Sequence, residues 1–239
     1  MAKKEIKKGQ HKEEHDHDLL ENPEAIADSL GKGEAFLKKN SRIVGGILIA
    51  GILVIAGILY FQFNTANKDK QAQADMFQAV YYYEQDSLDY ALNGDGVNDG
   101  FLQILDEYNG TNSANLAHFY TGSIYLTQGE FQKAVDHLGD FSADDFFVQA
   151  KAYSLLGDAH MELGQTSEAI SAYEKAANYK VNKFFTPMYL NKLAVAYESA
   201  GQLDKAISTY GKIEKNYPES YEFTLARKHK ACLEGLASK

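Results

Sequence analysis

Cysteine and proline are scarce in this sequence: one cysteine and three prolines occur among 239 residues. A single cysteine, Cys232, excludes an intramolecular disulfide. Its place on a helical face with Ala231 and Gly235 favours a small core residue over a reactive thiol. The low proline content, together with abundant alanine, leucine and tyrosine, is typical of packed helices.

Catalytic motifs are absent as well. The sequence has no GxSxG, HExxH, CxxC or glycine-rich phosphate loop. His118, His137, His160 and His229 fit helical faces better than an acid–base site. We therefore predict a protein that is not an enzyme, without catalytic residues and without a cofactor. An enzyme with unrecognised chemistry is the alternative, and it would need a polar pocket with converging acid, base or metal ligands.

The turn around Asp95 has the spacing of a calcium loop. Asp95, Asp99, Gly100 and Asp106 occupy positions one, five, six and twelve, but Val97 at position three offers no side-chain oxygen. A turn between two helices is therefore favoured, and no metal site is predicted. Whether the loop from Asp95 to Asp106 binds calcium stays open.

Charge is missing from one long run. Ile43 to Phe61 (IVGGILIAGILVIAGILYF) comprises nineteen consecutive residues without a charged side chain. At about 1.5 Å per residue the run can cross a hydrocarbon layer of about 30 Å, so we predict a transmembrane helix over residues 43–63. A cleaved signal peptide is the alternative, but the run begins late in the chain and no small-residue cleavage site follows it.

Charges on the two sides of this run predict its orientation. Four basic residues lie between residues 32 and 42, whereas Lys68 and Lys70 are the basic residues close after the run. Because the more basic side stays in the cytoplasm, we predict a cytoplasmic N-terminus and an exported C-terminal domain. All of the net charge of -9 belongs to residues 64–239, which argues against nucleic acid and anionic lipid as main partners.

The exported part repeats itself. Three segments of equal length, starting at His118, Tyr153 and Leu190, align without gaps and share small residues at three places. This frame resembles the tetratricopeptide repeat, a helix–turn–helix unit of 34 residues. The shared small residues are Gly122, Gly157 and Ala194; Gly129, Gly164 and Gly201; and Ala134, Ala169 and Ala206.

The frame has a physical interpretation. The first small residue lets the two helices of a unit approach closely, and the glycine that follows ends the first helix without a Cβ penalty. Tyr125, Tyr173 and Tyr210 are among the large residues that fill the space between helices. The sequence therefore predicts an all-α fold, in which a single N-terminal transmembrane helix is followed by a tetratricopeptide-repeat solenoid.

The predicted domain boundaries follow from these features. A disordered cytosolic tail over residues 1–21, with His11, His15 and His17, precedes a short amphipathic juxtamembrane helix over 22–42. The segment Asn67–Leu92 lacks glycine and proline and is predicted to be helical throughout. The domain at 64–239 is divided into a degenerate repeat at about 76–109, repeats at about 115–148, 150–183 and 187–220, and a capping helix at 221–237.

A concave groove is the predicted partner-binding site, since solenoids of this type bind with the first helix of each repeat. The groove is apolar at its ends and polar in its middle, which fits an extended or hydrophobic protein segment better than a C-terminal carboxylate. An unused concave surface is the alternative. The predicted groove residues are Leu116, Phe119, Ser123, Leu126, Lys151, Ser154, Asp158, Met161, Met188, Asn191, Val195 and Glu198.

Taken in order, these parts resemble the YfgM-type ancillary subunits of the Sec translocon, from about Pro23 to the C-terminus. The resemblance lies in Glu34–Arg42 (EAFLKKNSR) leading directly into the glycine-rich span, in the alanine-containing polar helix after it, and in the short helix and repeats that follow. The charged head is an addition to that pattern, and the second and third repeats are more regular than is usual for the family.

The resemblance implies a non-enzymatic accessory subunit of the bacterial Sec protein-export channel. Members of the family are single-pass inner-membrane proteins with a periplasmic repeat domain. They associate with channel subunits and with a periplasmic chaperone of the peptidyl-prolyl isomerase type, and are thought to assist exported nascent chains. A scaffold for another cell-envelope assembly complex is the alternative function.

The span itself offers a contact face for the channel. Gly46, Ala50 and Gly57 would allow close approach of another membrane helix. Glycine and alanine are also common in membrane helices without such a role. The groove ligand, the oligomeric state and the role of the charged head stay open.

Overall fold

The computed structural model describes residues 23–237, so the predicted disordered tail at residues 1–21 lies outside the described part. The chain divides into two compact units, the first ending at Gln62 and the second beginning at Phe63. Residues 23–237 contain eleven α-helices and no strand. The helices are α1 (Pro23–Lys39), α2 (Ser41–Glu84), α3 (Leu88–Asn93), α4 (Phe101–Glu107), α5 (Asn112–Thr127), α6 (Phe131–Asp140), α7 (Val148–Glu162), α8 (Thr166–Asn178), α9 (Thr186–Ser199), α10 (Leu203–Asn216) and α11 (Phe223–Ala237).

The first unit consists of α1 and the apolar part of α2. Pro23 opens α1, where its fixed φ suits the first turn and its missing N–H costs nothing. The Asn40 side chain donates a hydrogen bond of 3.0 Å to the carbonyl oxygen of Phe36 at the break before α2. Among the described helices, α2 alone is long and apolar enough to cross a membrane, and no residue of its apolar window is buried.

The second unit starts with the remainder of α2, which ends earlier than the sequence predicted. The prediction of uninterrupted helix from Asn67 to Leu92 is wrong, because α2 ends at Glu84 and α3 begins at Leu88. Asp86 in the intervening turn has a φ of 58°, in the left-handed region. The turn directs Ala91 and Leu92 into a buried cluster with Phe101.

Three helical hairpins follow, formed by α5 with α6, α7 with α8 and α9 with α10. Neighbouring hairpins pack through α6 against α7 and through α8 against α9. A Cβ atom added at Gly157 would lie 2.5 Å from Cε1 of Tyr173, and one added at Gly122 would lie 2.6 Å from Cγ of Leu138. The predicted reason for these small residues, close approach of the two helices of a hairpin, is therefore confirmed.

The turn inside each hairpin is the same. Gly129, Gly164 and Gly201 have φ values of 81°, 72° and 68°, which side chains with a Cβ rarely adopt. Each glycine therefore ends the first helix of its hairpin and lets the chain reverse.

Helix α11 packs against α10 and buries Ala226 and Leu233. Cys232 is exposed, so its prediction as a small core residue is wrong. It precedes Leu233 by one residue, about 100° around the helix, and that rotation moves its thiol off the buried stripe. In outline, the described residues form the predicted all-α solenoid of the tetratricopeptide type.

Candidate functional site: the concave groove

The twelve predicted groove residues lie on the first helices of the three hairpins, α5, α7 and α9. Val195 is 42% exposed, whereas the other eleven are partly or fully buried. The predicted groove residues are therefore largely covered by neighbouring side chains. Their role in binding a partner stays a prediction.

The two ends of the groove are built from apolar contacts. Phe119 lies 5.4 Å from Phe141, measured between ring centroids, and packs with Leu126 against the cluster around α6 and α7. Met161 and Met188 pack against the large cluster formed by α7 to α11. Thioether side chains are flexible, so they can adapt to different apolar partners.

An ion pair between two hairpins lies in the polar middle of the groove. The Asp158 carboxylate on α7 accepts hydrogen bonds of 2.6 and 2.7 Å from Nζ of Lys192 on α9. It also accepts a bond of 2.7 Å from the hydroxyl of Tyr173. Burial, and then the Asp158 charge, raises the pKa of Tyr173. The hydroxyl therefore stays protonated and remains a donor to Asp158.

Lys192 was missed by the sequence analysis. Lys192 follows Asp158 by 34 residues, whereas the second and third repeats are offset by 37, as from Gly157 to Ala194. In the repeat frame Lys192 therefore aligns with Leu155 and not with Asp158. No spacing in the sequence marks the pair.

Lys151 adds a second cation to the same region. Burial lowers the pKa of Lys151, and the nearby Lys192 lowers it further, while Asp158 opposes the change. Two ammonium groups thus lie near one carboxylate in the middle of the groove, and Lys192 is the one bonded to it. The local charge favours a partner segment that brings an acidic side chain or carbonyl oxygens.

Two polar atoms in the same region lack a hydrogen-bond partner within the described part of the chain. They are Oγ of Ser154 and Oδ1 of Asn191, both buried. The two residues occupy equivalent places on α7 and α9, at position five of the predicted repeat. A buried polar atom without a partner costs about 1–3 kcal/mol. Because both atoms are covered by the surrounding side chains, they are not available to a segment that lies in the groove.

The other polar groove residues are already paired. Ser123 and Tyr83 hydroxyls lie 2.9 Å apart and join α5 to α2. The Glu198 carboxylate accepts a bond of 2.5 Å from the Tyr210 hydroxyl and lies 3.3 Å from Nδ1 of His229. These contacts join α5 to α2, and α9 to α10 and α11.

The predicted contact residues of the span lie on one side of α2. Gly46, Ala50 and Gly57 are spaced four and seven residues apart, which places them on one helical face. All three are exposed, and a Cβ added at Gly46 or Gly57 would meet no atom within 4 Å.

The loop with calcium-like spacing is held by its own hydrogen bonds. Both oxygens of the Asp95 carboxylate accept bonds, from the Tyr82 hydroxyl at 2.6 Å, from the amides of Val97 and Asn98, and from the Asn98 side chain. These donors, the Tyr82 hydroxyl foremost, lower the pKa of Asp95. The carboxylate therefore serves as the acceptor of a turn between helices, the structure that the sequence favoured.

The histidines lie apart from the groove middle. Nδ1 of His118 and Nδ1 of His137 are 3.0 Å apart between α5 and α6, and Nδ1 of His160 lies 2.6 Å from Oε1 of Gln165. Between residues 23 and 237, no three His, Cys, Asp or Glu side chains converge as a metal site would require.

Comparison with protein families finds two matches. A model described as a tetratricopeptide repeat-like domain matches residues 34–146, and a tetratricopeptide repeat model matches residues 154–221. Among curated proteins, the uncharacterised protein ycf37 of Pyropia yezoensis is 38% identical over 85 residues. That alignment covers 35% of this chain and 46% of ycf37, so it spans less than half of the relative's length.

Solved structures support the same fold. MamA is similar with a TM-score of 0.53 and 23% identity over 66% of this chain and 84% of MamA. A putative kinesin light chain of Podosopora anserina with nearly identical TPR-like repeats has a TM-score of 0.55 and 14% identity over 71% of this chain and 88% of its own. The chain thus carries tetratricopeptide-type repeats, a scaffold fold that is typically non-enzymatic and serves protein–protein interaction.

Proposed function

We propose that this protein is a non-enzymatic accessory subunit of the bacterial Sec protein-export channel. Its apolar helix would cross the inner membrane once, with the N-terminus in the cytoplasm and the repeat domain in the periplasm. The repeat domain would bind the translocon, a periplasmic peptidyl-prolyl isomerase-type chaperone or an emerging substrate in its concave groove.

The observation that carries the proposal is the order of the parts. A helix with an exposed, uncharged run of membrane-spanning length leads directly into a tetratricopeptide-type solenoid. The match to a repeat-like domain begins at residue 34, before the run, and extends to residue 146. The apolar run and the first hairpin therefore belong to one matched region, as the resemblance to YfgM-type subunits requires.

The chemistry of the groove supports a protein partner. Its apolar ends can take hydrophobic side chains, and its middle carries the cations Lys151 and Lys192. An extended segment presents a carbonyl and an amide at each residue together with side chains. Nascent and partly unfolded chains have this chemistry.

Purification of the full-length chain from its native cells in mild detergent, followed by mass spectrometry, tests the proposal. Channel subunits and the chaperone are expected to co-purify. Val195→Glu places a charge at the exposed groove position and is expected to reduce the yield of groove-bound partners. Ser208→Glu, exposed on α10 of the same hairpin, is the matched control. Absence of every translocon subunit from the wild-type sample contradicts the export role.

The same purification distinguishes the alternative, a scaffold for another cell-envelope complex. Recovery of subunits of a different envelope machine in place of the translocon favours it. The orientation is tested separately with a reporter that fluoresces only in the cytoplasm, fused to the C-terminus. We expect no fluorescence, and a fluorescent fusion overturns the periplasmic placement.

A further inference from the structure

The second half of α2 exposes aromatic side chains on the side opposite its buried stripe. Ala72, Met76 and Ala79 are buried and pack into the cluster with α3, α4 and α5. Phe77 and Tyr81 are four residues apart, so they share one helical face, and both are exposed. This part of α2 therefore carries a second apolar stripe, which the hairpins of the repeat unit do not cover.

The loop over residues 94–100 extends this stripe. Val97 lies in the loop and is 90% exposed. Val97 and Phe77 line one cleft of about 210 Å³, and the cleft is also lined by Asp75 and Asp99. The loop and α2 thus form one surface, with apolar side chains beside carboxylates.

A row of tyrosines connects the same surface to α3. The ring of Tyr82 lies 6.3 Å from the ring of Tyr81 and 5.6 Å from the ring of Tyr90, measured between centroids. The Tyr82 hydroxyl donates to the Asp95 carboxylate at 2.6 Å and so holds the loop against α2. Tyr90 is exposed as well. We call this surface the aromatic face (Phe77, Tyr81, Tyr90 and Val97).

The chain that forms the aromatic face contains no lysine or arginine. Residues 71–132 hold nine aspartates and glutamates, and Lys70 is the basic residue just before them. Glu130 is paired with Lys133 at 3.3 Å, whereas the other eight carboxylates have no ion pair in the described part of the chain. The aromatic face therefore lies in a negative field that its own helices do not neutralise.

Three of these carboxylates act on one hydroxyl group. The Tyr108 hydroxyl donates to Asp75. This hydrogen bond, followed by burial and by the charges of Asp75, Glu107 and Asp99, raises the pKa of Tyr108 to about 12. Asp75 and Asp99 also line the cleft beside Phe77. A group that enters the cleft thus meets negative charge without a counter-ion, which a cation can neutralise.

The exposed rings in the second half of the repeat unit have both signs of charge around them. The Lys183 ammonium lies 5.3 Å from the ring centroid of Phe184, and both side chains line a cleft with Glu219. Residues 133–239 hold thirteen lysines and arginines against fourteen acidic residues. Charge therefore selects a partner at the aromatic face and does not select one around Phe184.

We propose that the aromatic face binds a basic amphipathic segment of a partner protein, whose apolar side chains contact Phe77 and Val97 and whose arginines lie over the exposed tyrosines. Arginine stacks on aromatic rings and pairs with carboxylates, so one side chain uses both features of the surface. Nucleic acid and anionic lipid carry the wrong charge for this site. The inference depends neither on the membrane span nor on a role in export.

A synthetic peptide and the purified full chain in detergent test this proposal. The peptide is helical and fluorescein-labelled, with arginines on one face and leucines on the other. Two matched peptides carry glutamate in place of arginine, or serine in place of leucine. Phe77→Gln removes a ring that is 72% exposed, and Phe184→Gln, which removes one that is 73% exposed, is its control. Asp99→Asn removes a charge of the cleft, and Glu219→Gln, in the second half of the unit, is its control.

Fluorescence anisotropy measures the dissociation constant of each pair. We expect F77Q to weaken binding of the arginine–leucine peptide about tenfold and D99N about threefold, and both control variants to change it by less than about twofold. Each matched peptide should bind the wild-type chain about tenfold more weakly, and added salt should weaken binding of the arginine–leucine peptide.

Three results would overturn the inference. The first is that the arginine–leucine peptide does not bind the wild-type chain, or that the glutamate peptide binds equally well. The second is an equal loss of binding in F77Q and F184Q, which would show general adhesion to exposed rings. The third is self-association of the wild-type chain that F77Q abolishes, because a second copy would then cover the aromatic face.

Discussion

The hairpins from α7 to α10 and the start of the repeat unit both pack around buried apolar side chains, but they differ in the contacts that join their helices. In the hairpins, a small residue on one helix admits a large side chain from the other, as Gly157 admits Tyr173. At the start of the unit, side-chain hydrogen bonds between residues far apart in the sequence join α2 to α4 and α5. Asp69 binds Ser113, and Asp75 accepts from Tyr108. Apolar packing in the frame repeats along the chain, whereas these polar contacts occur once.

The largest effect is expected from the packing of the second hairpin. Gly157→Ala places a Cβ 2.5 Å from a rigid tyrosine ring, and we expect it to lower the free energy of unfolding by about 2 kcal/mol. Urea unfolding of the full chain in detergent, followed by near-ultraviolet circular dichroism of the tyrosines, measures the change.

Gly211→Ala is the matched control for that substitution. Its new Cβ would meet the end of the Lys230 side chain at 3.8 Å, an ordinary contact. We expect stabilisation of about 0.5–1 kcal/mol, because alanine is favoured over glycine inside a helix. Equal effects of the two substitutions would show that close packing at Gly157 does not hold the hairpin together.

A smaller loss is expected at the start of the unit. Asp69→Ala removes two hydrogen bonds of 2.8 Å to buried Ser113 and a negative charge from the N-terminus of α5, at a cost of about 1.5 kcal/mol. Lys70→Ala, exposed on the same helix, is the control. If both variants unfold at the wild-type urea concentration, polar contacts do not dock this segment.

The smallest effect is expected on the pH dependence of stability. It concerns the hairpin of α5 and α6, which lies between these two regions in the chain. Burial lowers the pKa of His118 and of His137 below the ordinary 6.5, and the charge of His118 adds to the effect on His137 while Asp136 and Asp140 oppose it. Above pH 6.5 both imidazoles are neutral in the folded and in the unfolded chain, so the pair does not lower the free energy of unfolding there. Below 6.5 the unfolded chain binds protons that the folded chain resists, so stability falls.

We therefore expect the free energy of unfolding to drop by less than about 1 kcal/mol between about pH 7 and pH 5.5 because of this pair. His118→Gln and His137→Gln should each make the decline shallower, since the remaining histidine no longer faces a second imidazole. An unchanged steepness in both variants would contradict the role of the pair, and urea unfolding at several pH values gives the comparison.

The same difference between the two regions explains what the sequence could predict. Gly129, Gly164 and Gly201 recur at one place in the frame, so the turns and the solenoid could be read from spacing alone. The break after Glu84 has no glycine or proline to mark it. It is decided by burial of Ala91 and Leu92 against Phe101, a contact formed only in the folded unit.

The candidate site shows the same limit. Groove positions follow from the repeat frame, and all twelve lie on the predicted helices. The pairing of Asp158 with Lys192 depends on how one hairpin rotates against the next, which the spacing of the repeats does not determine. Cys232 was misplaced because one residue on a helix changes the direction of a side chain by about 100°.

Photo-crosslinking from the groove in native cells tests the central claim most directly, that the groove of an exported repeat domain holds a protein segment. A photoreactive amino acid at Val195 of the full chain is expected to capture channel subunits, the periplasmic chaperone or exported chains, and the same probe at Ser208 is not. Equal products from the two positions, or products that are all cytoplasmic proteins, would contradict the account.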